Sequence, residues 1–239
     1  MSLLVIGVTH RSAPVPVLES LAVPPQQVPD LLADLLRQPY VREALVLSTC
    51  NRVEVYAEVS AFHGGLTDVG GVLARQARLS AADLAPYLSV HYEADAVRHA
   101  FEVACGLDSM VVGEAQILGQ LRDAYAVASD SDSAGRFLHE LAQQALRVGK
   151  RAHTETGIDR AGQSVVSAAL ELSGPVAGAR ALVVGAGSMG ALALATLHRG
   201  GAGELFVTNR SLPRAERLAE SYEATAVPFG DLADAIAGV

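Results

Sequence analysis

Two short segments of this sequence contain residues whose type and spacing could do chemistry. The first is Gly185-Ala186-Gly187-Ser188-Met189-Gly190, which fits the G-x-G-x-x-G pattern of a dinucleotide-binding turn. It follows an apolar segment, 179–184, and precedes an apolar helical segment. Between a strand and a helix, such glycines permit a tight turn and a close approach of backbone N–H groups to a pyrophosphate. The alternative is a glycine-rich turn without a ligand, and the context favours the ligand.

The end of the next predicted strand, 205–208, indicates which dinucleotide would bind. NAD-binding turns usually have an acidic residue about 20 residues further on, which bonds the ribose 2′-hydroxyl. Here the strand is followed by Asn209 and Arg210, and no carboxylate is there to repel a 2′-phosphate. Arg210 can instead neutralise that phosphate. We therefore predict NADPH as the cofactor, with an exposed loop arginine as the alternative.

The second segment is Thr49-Cys50-Asn51-Arg52, between predicted strands at 44–48 and 53–59. A tight connection would place these four side chains at one exposed tip. An isolated cysteine is most often a small buried hydrophobe. The polar neighbours change that expectation, because Arg52 could lower the pKa of the thiol and so supply a thiolate, which is a competent acyl acceptor. Cys105, on a predicted helix beside Ala104, is expected to have a packing role.

Three more polar residues lie on predicted helices. His99 lies on helix 94–105, where a lone histidine is more often structural or solvated than catalytic. Gln116 and Gln120 lie near the start of helix 114–129, and their spacing puts both carboxamides on one face. A solvated polar face is the alternative for the glutamines. Paired zinc-ligand spacing is missing, so we predict no metal site.

These segments require two different scaffolds. Residues 1–155 mix strands and helices and are predicted to form an N-terminal α+β catalytic domain. Residues 156–239 have the order β-α-β, which predicts a parallel sheet with a right-handed crossover, an α/β fold of partial Rossmann-like type. This region accounts for roughly one of the two halves of a dinucleotide-binding sheet. We therefore expect the chain to be a fragment or a truncated product.

The composition excludes several classes of protein. Half of the 239 residues are hydrophobic, which excludes wholesale disorder. The apolar runs are all shorter than the roughly 20 residues of a membrane span, and the N-terminal run lacks the basic flank of a signal peptide. We therefore expect a cytoplasmic protein with reduced thiols and no membrane partner.

The net charge of −8 is unlike that of a typical nucleic-acid binder. A polyanion would need a local basic patch, and its binding should depend on salt. The best candidate patch is formed by Arg147, Lys150, Arg151 and Arg160. A solvated helix face is the alternative for these residues.

Four motifs together resemble the glutamyl-tRNA reductase family. They are GVTHRSAPV at 7–15, STCNRVEVY at 48–56, GEAQILGQ at 113–120 and the glycine-rich turn at 185–190. The resemblance runs over the whole chain, and the second and third motifs are highly specific. The rest of the family's NADPH domain and its C-terminal helical dimerisation domain are missing from this sequence.

The resemblance implies an NADPH-dependent oxidoreductase that catalyses the first step of tetrapyrrole, and hence porphyrin and haem, biosynthesis. Cys50 would attack the ester that joins glutamate to the tRNA 3′ end and form a glutamyl thioester. Hydride from NADPH would then release glutamate-1-semialdehyde. His99 matches a family position important for activity, and a role as base for Cys50 or acid toward the leaving hydroxyl is our hypothesis.

The resemblance also implies the residues that bind the substrate and cofactor. Arg52 would bind the glutamyl carboxylate and Glu114 its ammonium group. The implied substrate-binding set is Thr49, Cys50, Asn51, Arg52, Ser109, Glu114, Ala115, Gln116 and Gln120. The implied cofactor-binding set is Gly185, Ala186, Gly187, Ser188, Met189, Gly190, Asn209 and Arg210.

The implied partners are glutamyl-tRNA(Glu), a second subunit in the full-length family, and possible contact with glutamate-1-semialdehyde aminotransferase. Two other functions stay open. A small-molecule NADP dehydrogenase, similar to shikimate dehydrogenase at residues 209–211, would explain the second domain but not the tip at 49–52. It would be active without tRNA. The other open function is that of a truncated, non-catalytic chain that binds glutamyl-tRNA but does not reduce it.

Overall fold

The structure is a computed structural model, and it describes residues 2–109, 112–113, 116–156, 158 and 165–239. The chain forms two compact units, residues 1–162 and 163–239. This division lies C-terminal of residue 155, where the sequence suggested a boundary. Each unit has its own hydrophobic core.

The first unit is built on a four-stranded antiparallel sheet with the strand order β2-β3-β1-β4. The strands are β1 (Ser2–Thr9), β2 (Val41–Ser48), β3 (Arg52–Val59) and β4 (Ser89–Tyr92). The helices are α1 (Val15–Leu21), α2 (Val28–Leu36), α3 (Phe62–Ala77), α4 (Ala81–Leu84), α5 (Ala94–Ala104), α6 (Gln116–Asp130) and α7 (Arg136–Thr156). Short 3-10 helices lie at Pro25–Gln27 and Ala85–Tyr87.

Every residue of the inner strand β3 is buried, because helices cover both faces of this sheet. On one face Tyr56 lies among apolar side chains of α5, α6 and α7, such as Ala100 and Leu121. On the other face α3 approaches closely at Gly65, where a Cβ atom would lie 2.6 Å from the Val59 side chain. Polar side chains on β3 must therefore find partners inside the protein.

The second unit contains a three-stranded parallel sheet with the order β5-β6-β7. The strands are β5 (Arg180–Val184), β6 (Glu204–Asn209) and β7 (Thr225–Pro228). The helices are α8 (Val165–Ser173), α9 (Ser188–Arg199), α10 (Leu212–Glu220) and α11 (Leu232–Ala237), with a 3-10 helix at Phe229–Asp231. The prediction of an α+β unit followed by a parallel α/β unit is confirmed.

None of the described helices combines the length and the apolar composition that a membrane crossing requires.

Candidate active site

Cys50 lies exposed in the connection of three residues between β2 and β3. The Thr49 hydroxyl accepts the backbone N–H groups of Asn51 and Arg52, both at 3.2 Å. The Thr49 N–H donates to the Arg52 carbonyl at 2.8 Å, and the His10 N–H donates to the Asn51 carbonyl at 2.9 Å. These bonds fix a tight turn beside the end of β1, so the prediction that Cys50 lies at a tight strand-to-strand tip is confirmed.

Arg52 does not lie at the exposed tip, and that part of the prediction is wrong. As the first residue of β3 it turns into the protein and is 1% exposed. Its Nη1 donates to Glu54 Oε1 at 3.1 Å, and its Nη2 donates to Asp108 Oδ2 at 3.0 Å and to the Asp108 carbonyl at 2.5 Å. The physical reason is that a buried guanidinium is stable where carboxylates neutralise it. Burial alone would lower the pKa of Arg52, but the charges of Glu54 and Asp108 outweigh burial and raise it.

Glu54 is the fully buried partner of this arginine. Its Oε1 also accepts a hydrogen bond from His99 Nε2 at 3.0 Å, and its Oε2 accepts one from the Tyr56 hydroxyl at 2.8 Å. Burial alone would raise the pKa of Glu54, but the bonds from His99 and Tyr56 and the charge of Arg52 lower it. Burial and the charge of Glu54 in turn raise the pKa of Tyr56 well above its usual value. Glu54 is therefore held as a carboxylate inside the protein.

Glycine at position 7 leaves room for the Glu54 side chain. Gly7 lies opposite Glu54 in the register of β1 and β3. A Cβ atom there would lie 2.2 Å from the Val53 carbonyl oxygen and 2.9 Å from Glu54 Cγ. A larger residue would therefore move the strand or the carboxylate.

Asp108 is the partner of Arg52 on the solvent side. Its side chain is 19% exposed, and its Oδ1 accepts a hydrogen bond from Arg11 Nη1 at 2.6 Å. Two arginines that are far apart in the sequence thus converge on one carboxylate. The motifs at 7–15 and 48–56 contain Arg11 and Glu54 but assigned them no role, and Asp108 lies outside the motifs. The local signal for this cluster was that Arg52 and Glu54 are two residues apart on a strand and therefore share one face.

His99 is buried on α5, and its Nε2 is committed to Glu54. The His91 ring stacks on the His99 ring with centroids 4.1 Å apart, and His91 Nδ1 bonds Asp95 Oδ2 at 2.8 Å. That bond lowers the pKa of Asp95. The hydrogen bond to Glu54 makes His99 a support for the Arg52 cluster. Proton transfer between His99 and Cys50 stays a prediction.

The carboxylates of this cluster also raise the question of a metal ion. One ligand atom each from Glu54, His99 and Asp108 lie within 4.8 Å of one another. Arg52 donates to both carboxylates and already supplies the positive charge between them. The arrangement therefore favours a guanidinium at this position over a metal cation.

Of the remaining predicted substrate residues, the structure describes Ser109, Gln116 and Gln120. Gln120 lines a cavity of about 200 Å³ together with Ser48 at the end of β2, and Gln116 lies half-buried one turn earlier on α6. Ser109 is buried directly after Asp108. Glu114 and Ala115 lie outside the described residues. The structure thus brings Gln120 to the strand that leads to Cys50.

In the second unit the glycine-rich turn has the shape that a phosphate requires. Gly185 has φ +113°, a value that favours glycine, and Gly187 precedes α9. A Cβ atom at Gly190 would lie 1.8 Å from the Gly185 carbonyl oxygen, whereas Cβ atoms at Gly185 and Gly187 would meet open space. The third glycine therefore lets α9 pack on the turn, and the first two leave backbone accessible to a ligand.

The end of β6 is tied to the same turn. Asn209 Oδ1 accepts a hydrogen bond from the Ala186 N–H at 3.3 Å, and Arg210 is exposed. A cavity of about 370 Å³ beside Ala186 is lined by Arg214 and Arg217 of α10. Arginines at this place suit an extra phosphate group. Sequence reasoning missed Arg214 and Arg217, although both lie within seven residues of Arg210.

A groove with several basic side chains lies between α6 and α7 in the first unit. It has a volume of about 570 Å³, and its lining includes Arg122, Arg147 and Lys150. Arg151 was predicted to belong to this patch, but it pairs with Glu155 at 2.9 Å and does not line the groove. Arg160 lies outside the described residues.

Each of the two units matches a known protein family. Residues 6–156 match the family described as "Glutamyl-tRNAGlu reductase, N-terminal domain". Residues 167–239 match the family described as "Shikimate / quinate 5-dehydrogenase".

Individual relatives extend over nearly the whole chain. A curated protein named glutamyl-tRNA reductase from Salinispora arenicola (strain CNS-205) is 65% identical over 237 residues, which are 97% of this chain and 52% of the relative. The protein of that name from Salinispora tropica is 62% identical over the same shares of both chains. The structure of glutamyl-tRNA reductase from Methanopyrus kandleri matches with 33% identity and a TM-score of 0.60, covering 97% of this chain and 55% of that one. The chain spans about half the length of the curated relatives it matches.

Proposed function

The chain belongs to the glutamyl-tRNA reductase family, and on that premise we propose that it carries the acylation site and part of the cofactor site of an enzyme that reduces glutamyl-tRNA(Glu) to glutamate-1-semialdehyde. This reaction would be the first step of tetrapyrrole biosynthesis. The observation that carries the proposal is the exposure of Cys50 at a tight tip, two residues from an arginine that Glu54 and Asp108 hold in place.

The first chemical step is transfer of the glutamyl group to Cys50. The thiolate attacks the ester carbonyl, a C–S bond forms, and the C–O bond to the tRNA 3′ ribose breaks. The released ribose oxygen takes up a proton. A thioester carbonyl has less resonance stabilisation than an ester carbonyl, so it is the better hydride acceptor.

The buried cluster supports this site. Arg52 supplies fixed positive charge behind the tip, Glu54 orients its guanidinium, and His99 orients Glu54. If His99 also exchanges a proton during acylation, only its Nδ1 is left for that role. A pH–rate profile of acylation that does not change in His99→Asn would exclude the proton-transfer role and leave the positioning role.

The residues of the second unit fit a phosphorylated dinucleotide. The Gly185–Gly190 turn and the start of α9 would hold the pyrophosphate, and Arg210, Arg214 and Arg217 would surround the 2′-phosphate. NADPH, when bound, supplies the hydride that converts the thioester to the aldehyde. The match of residues 167–239 to the shikimate and quinate dehydrogenase family supports this assignment, and so does the lack of an acidic residue at positions 208–211, at the end of β6.

The tRNA would need a basic surface on a chain of net charge −8. The groove between α6 and α7 offers Arg122, Arg147 and Lys150 in a concave arrangement. We assign it to the tRNA backbone, since cationic side chains in a groove favour phosphates. From the family resemblance we also infer a homodimer and contact with glutamate-1-semialdehyde aminotransferase, and from the sequence features above a cytoplasmic location.

The proposal is tested by incubating the full-length enzyme with glutamyl-tRNA that is radiolabelled in glutamate, without NADPH. A sample that is denatured at this point should retain label on the protein. A second, native sample should release the label as semialdehyde once NADPH is added. Cys105→Ser, which alters a buried cysteine, should retain the label, and Cys50→Ser should lose it. Label that persists in Cys50→Ser would contradict the thioester.

A small-molecule NADP dehydrogenase remains the second candidate, because residues 167–239 match the shikimate and quinate dehydrogenase family. That function needs neither Cys50 nor tRNA. NADPH oxidation with a small carbonyl substrate and no tRNA, unchanged in Cys50→Ser, would favour it.

A further inference from the structure

One carboxylate holds two arginines at the edge of the candidate active site. Asp108 accepts hydrogen bonds from Arg11 at 2.6 Å and from Arg52 at 3.0 Å, and its carbonyl accepts another from Arg52. The two arginines contact different oxygens of this carboxylate, Arg11 at Oδ1 and Arg52 at Oδ2. The Arg11 side chain is 57% exposed and the Arg52 side chain is 2% exposed. Together they form a site that binds a single carboxylate.

The two partners of Arg52 differ in how easily they can be exchanged. Glu54 is fully buried and is also held by His99 and Tyr56. Asp108 faces solvent with 19% of its side chain, and the side-chain bonds recorded for it are those to the arginines. Of these two partners, Asp108 is therefore the one that an incoming carboxylate can replace.

The backbone at Asp108 has the means to withdraw. The segment begins at Gly106, whose φ of +73° lies in the region that favours glycine. Leu107, next to Asp108, exposes 46% of its surface. The Leu107 N–H donates to the Glu102 carbonyl at 2.9 Å and the Ser109 N–H to the Gly106 carbonyl at 3.4 Å, so opening of these two local bonds would let Asp108 withdraw.

We propose that Asp108 is an internal competitor for the side-chain carboxylate of the glutamyl substrate and that it must leave Arg11 and Arg52 before the substrate binds productively. The inference rests on the proposed function and adds two residues to it, the competing Asp108 and the exposed Arg11. It also assigns a specificity: substrates with a side-chain carboxylate displace Asp108, and neutral side chains leave it in place. Glutarate, which carries the same carboxylate on a similar chain, is a suitable probe.

The test compares wild-type full-length enzyme with Asp108→Asn in single-turnover acylation by glutamyl-tRNA. If Asp108 occupies the arginines nine-tenths of the time, its neutral isostere should lower the half-saturating substrate concentration about tenfold and leave the maximal rate unchanged. Inhibition by glutarate should strengthen by the same factor. The matched control is Asp34→Asn, which removes an exposed aspartate–arginine pair on α2 and should change neither value.

An unchanged or higher half-saturating concentration in Asp108→Asn would overturn the inference, because Asp108 would then only position Arg52. If wild-type enzyme is not acylated at all, the proposed function fails instead. A second measurement needs no variant: glutarate should accelerate hydrogen exchange at the amides of Leu107 and Ser109 in wild-type enzyme. Slower or unchanged exchange in the presence of bound glutarate would also overturn the inference.

Discussion

Replacing Glu54 by glutamine isolates the contribution of one buried charge to the fold. Glutamine keeps the shape of the side chain, so the change creates no cavity. It removes the negative charge that Arg52 contacts at 3.1 Å and that receives hydrogen bonds from His99 and Tyr56. The variant therefore leaves a buried guanidinium with Asp108 as its remaining anionic partner.

The expected cost follows from this arrangement. Removal of one member of a buried ion pair costs about 3–5 kcal/mol, because the other charge stays desolvated. Asp108 continues to neutralise Arg52, so we expect the lower end, about 3 kcal/mol at neutral pH. A change of this size is a large fraction of the stability of a typical domain.

The effect of Glu54→Gln should depend on pH. The pKa of Glu54 is lowered in the folded protein, so its charge stabilises the fold above the pKa of an unfolded glutamate, about 4.3. This stabilisation is lost as the pH falls through the lowered pKa of the folded state. The difference between wild type and variant should be complete at neutral pH and should shrink below about pH 4.

The assay is urea unfolding followed by tyrosine fluorescence. The chain has six tyrosines and no tryptophan, and Tyr222 is the tyrosine of the second unit, so the signal reports mainly on the first unit. Glu155→Gln makes the same chemical change at an exposed pair with Arg151 and should not shift the transition measurably. Equal midpoints for the two variants, or a difference that does not depend on pH, would refute the reasoning.

Three further variants test other parts of the structure. Gly7→Ala should destabilise the first unit by about 1–3 kcal/mol in the same urea assay, because its Cβ atom would collide with the backbone of β3. Gly190→Ala should weaken NADPH binding, measured by fluorescence titration, by about tenfold or more, because its Cβ atom would force the turn open. Arg147→Gln with Lys150→Gln should weaken tRNA binding and lower the slope of log K against log salt by about one per residue removed.

Matched variants make these results specific. Gly119→Ala places a Cβ atom in open space within α6 and should stabilise the helix by about 0.5–1 kcal/mol. Gly230→Ala meets no neighbouring atoms and should leave NADPH affinity unchanged. Arg151→Gln removes a residue that pairs with Glu155 outside the groove, so the salt slope for tRNA should stay as in wild type. Equal effects of a variant and its control would contradict the corresponding assignment.

The sequence predicted those features that depend on neighbouring residues in the chain. The apolar runs on both sides of Thr49–Asn51 located the tip that exposes Cys50. The glycine spacing and the flanking strand and helix located the dinucleotide turn, because all of its parts lie within one β-α unit. Local patterns were enough for both.

The environment of Arg52 could not be predicted in the same way. Arg52, Glu54, Tyr56 and Glu58 occupy alternate positions, a pattern that is typical of a solvent-facing strand surface. The surface is buried because α5, α6 and α7 lie on the Tyr56 face. Arg52 is paired with Glu54 on the same strand and with Asp108 from another part of the fold. Asp108 is 56 residues from Arg52 in the chain, so only the tertiary fold reveals the pair.

The most direct test of the account is to identify the atom that carries glutamate. Full-length enzyme is incubated with glutamyl-tRNA in the absence of NADPH, digested at mildly acidic pH to protect thioesters, and mapped by tandem mass spectrometry. We expect one glutamyl adduct, on the peptide that contains Cys50, and its loss on treatment with neutral hydroxylamine. An adduct on another residue, or an unmodified Cys50 in enzyme that reduces glutamyl-tRNA normally, would contradict the central claim.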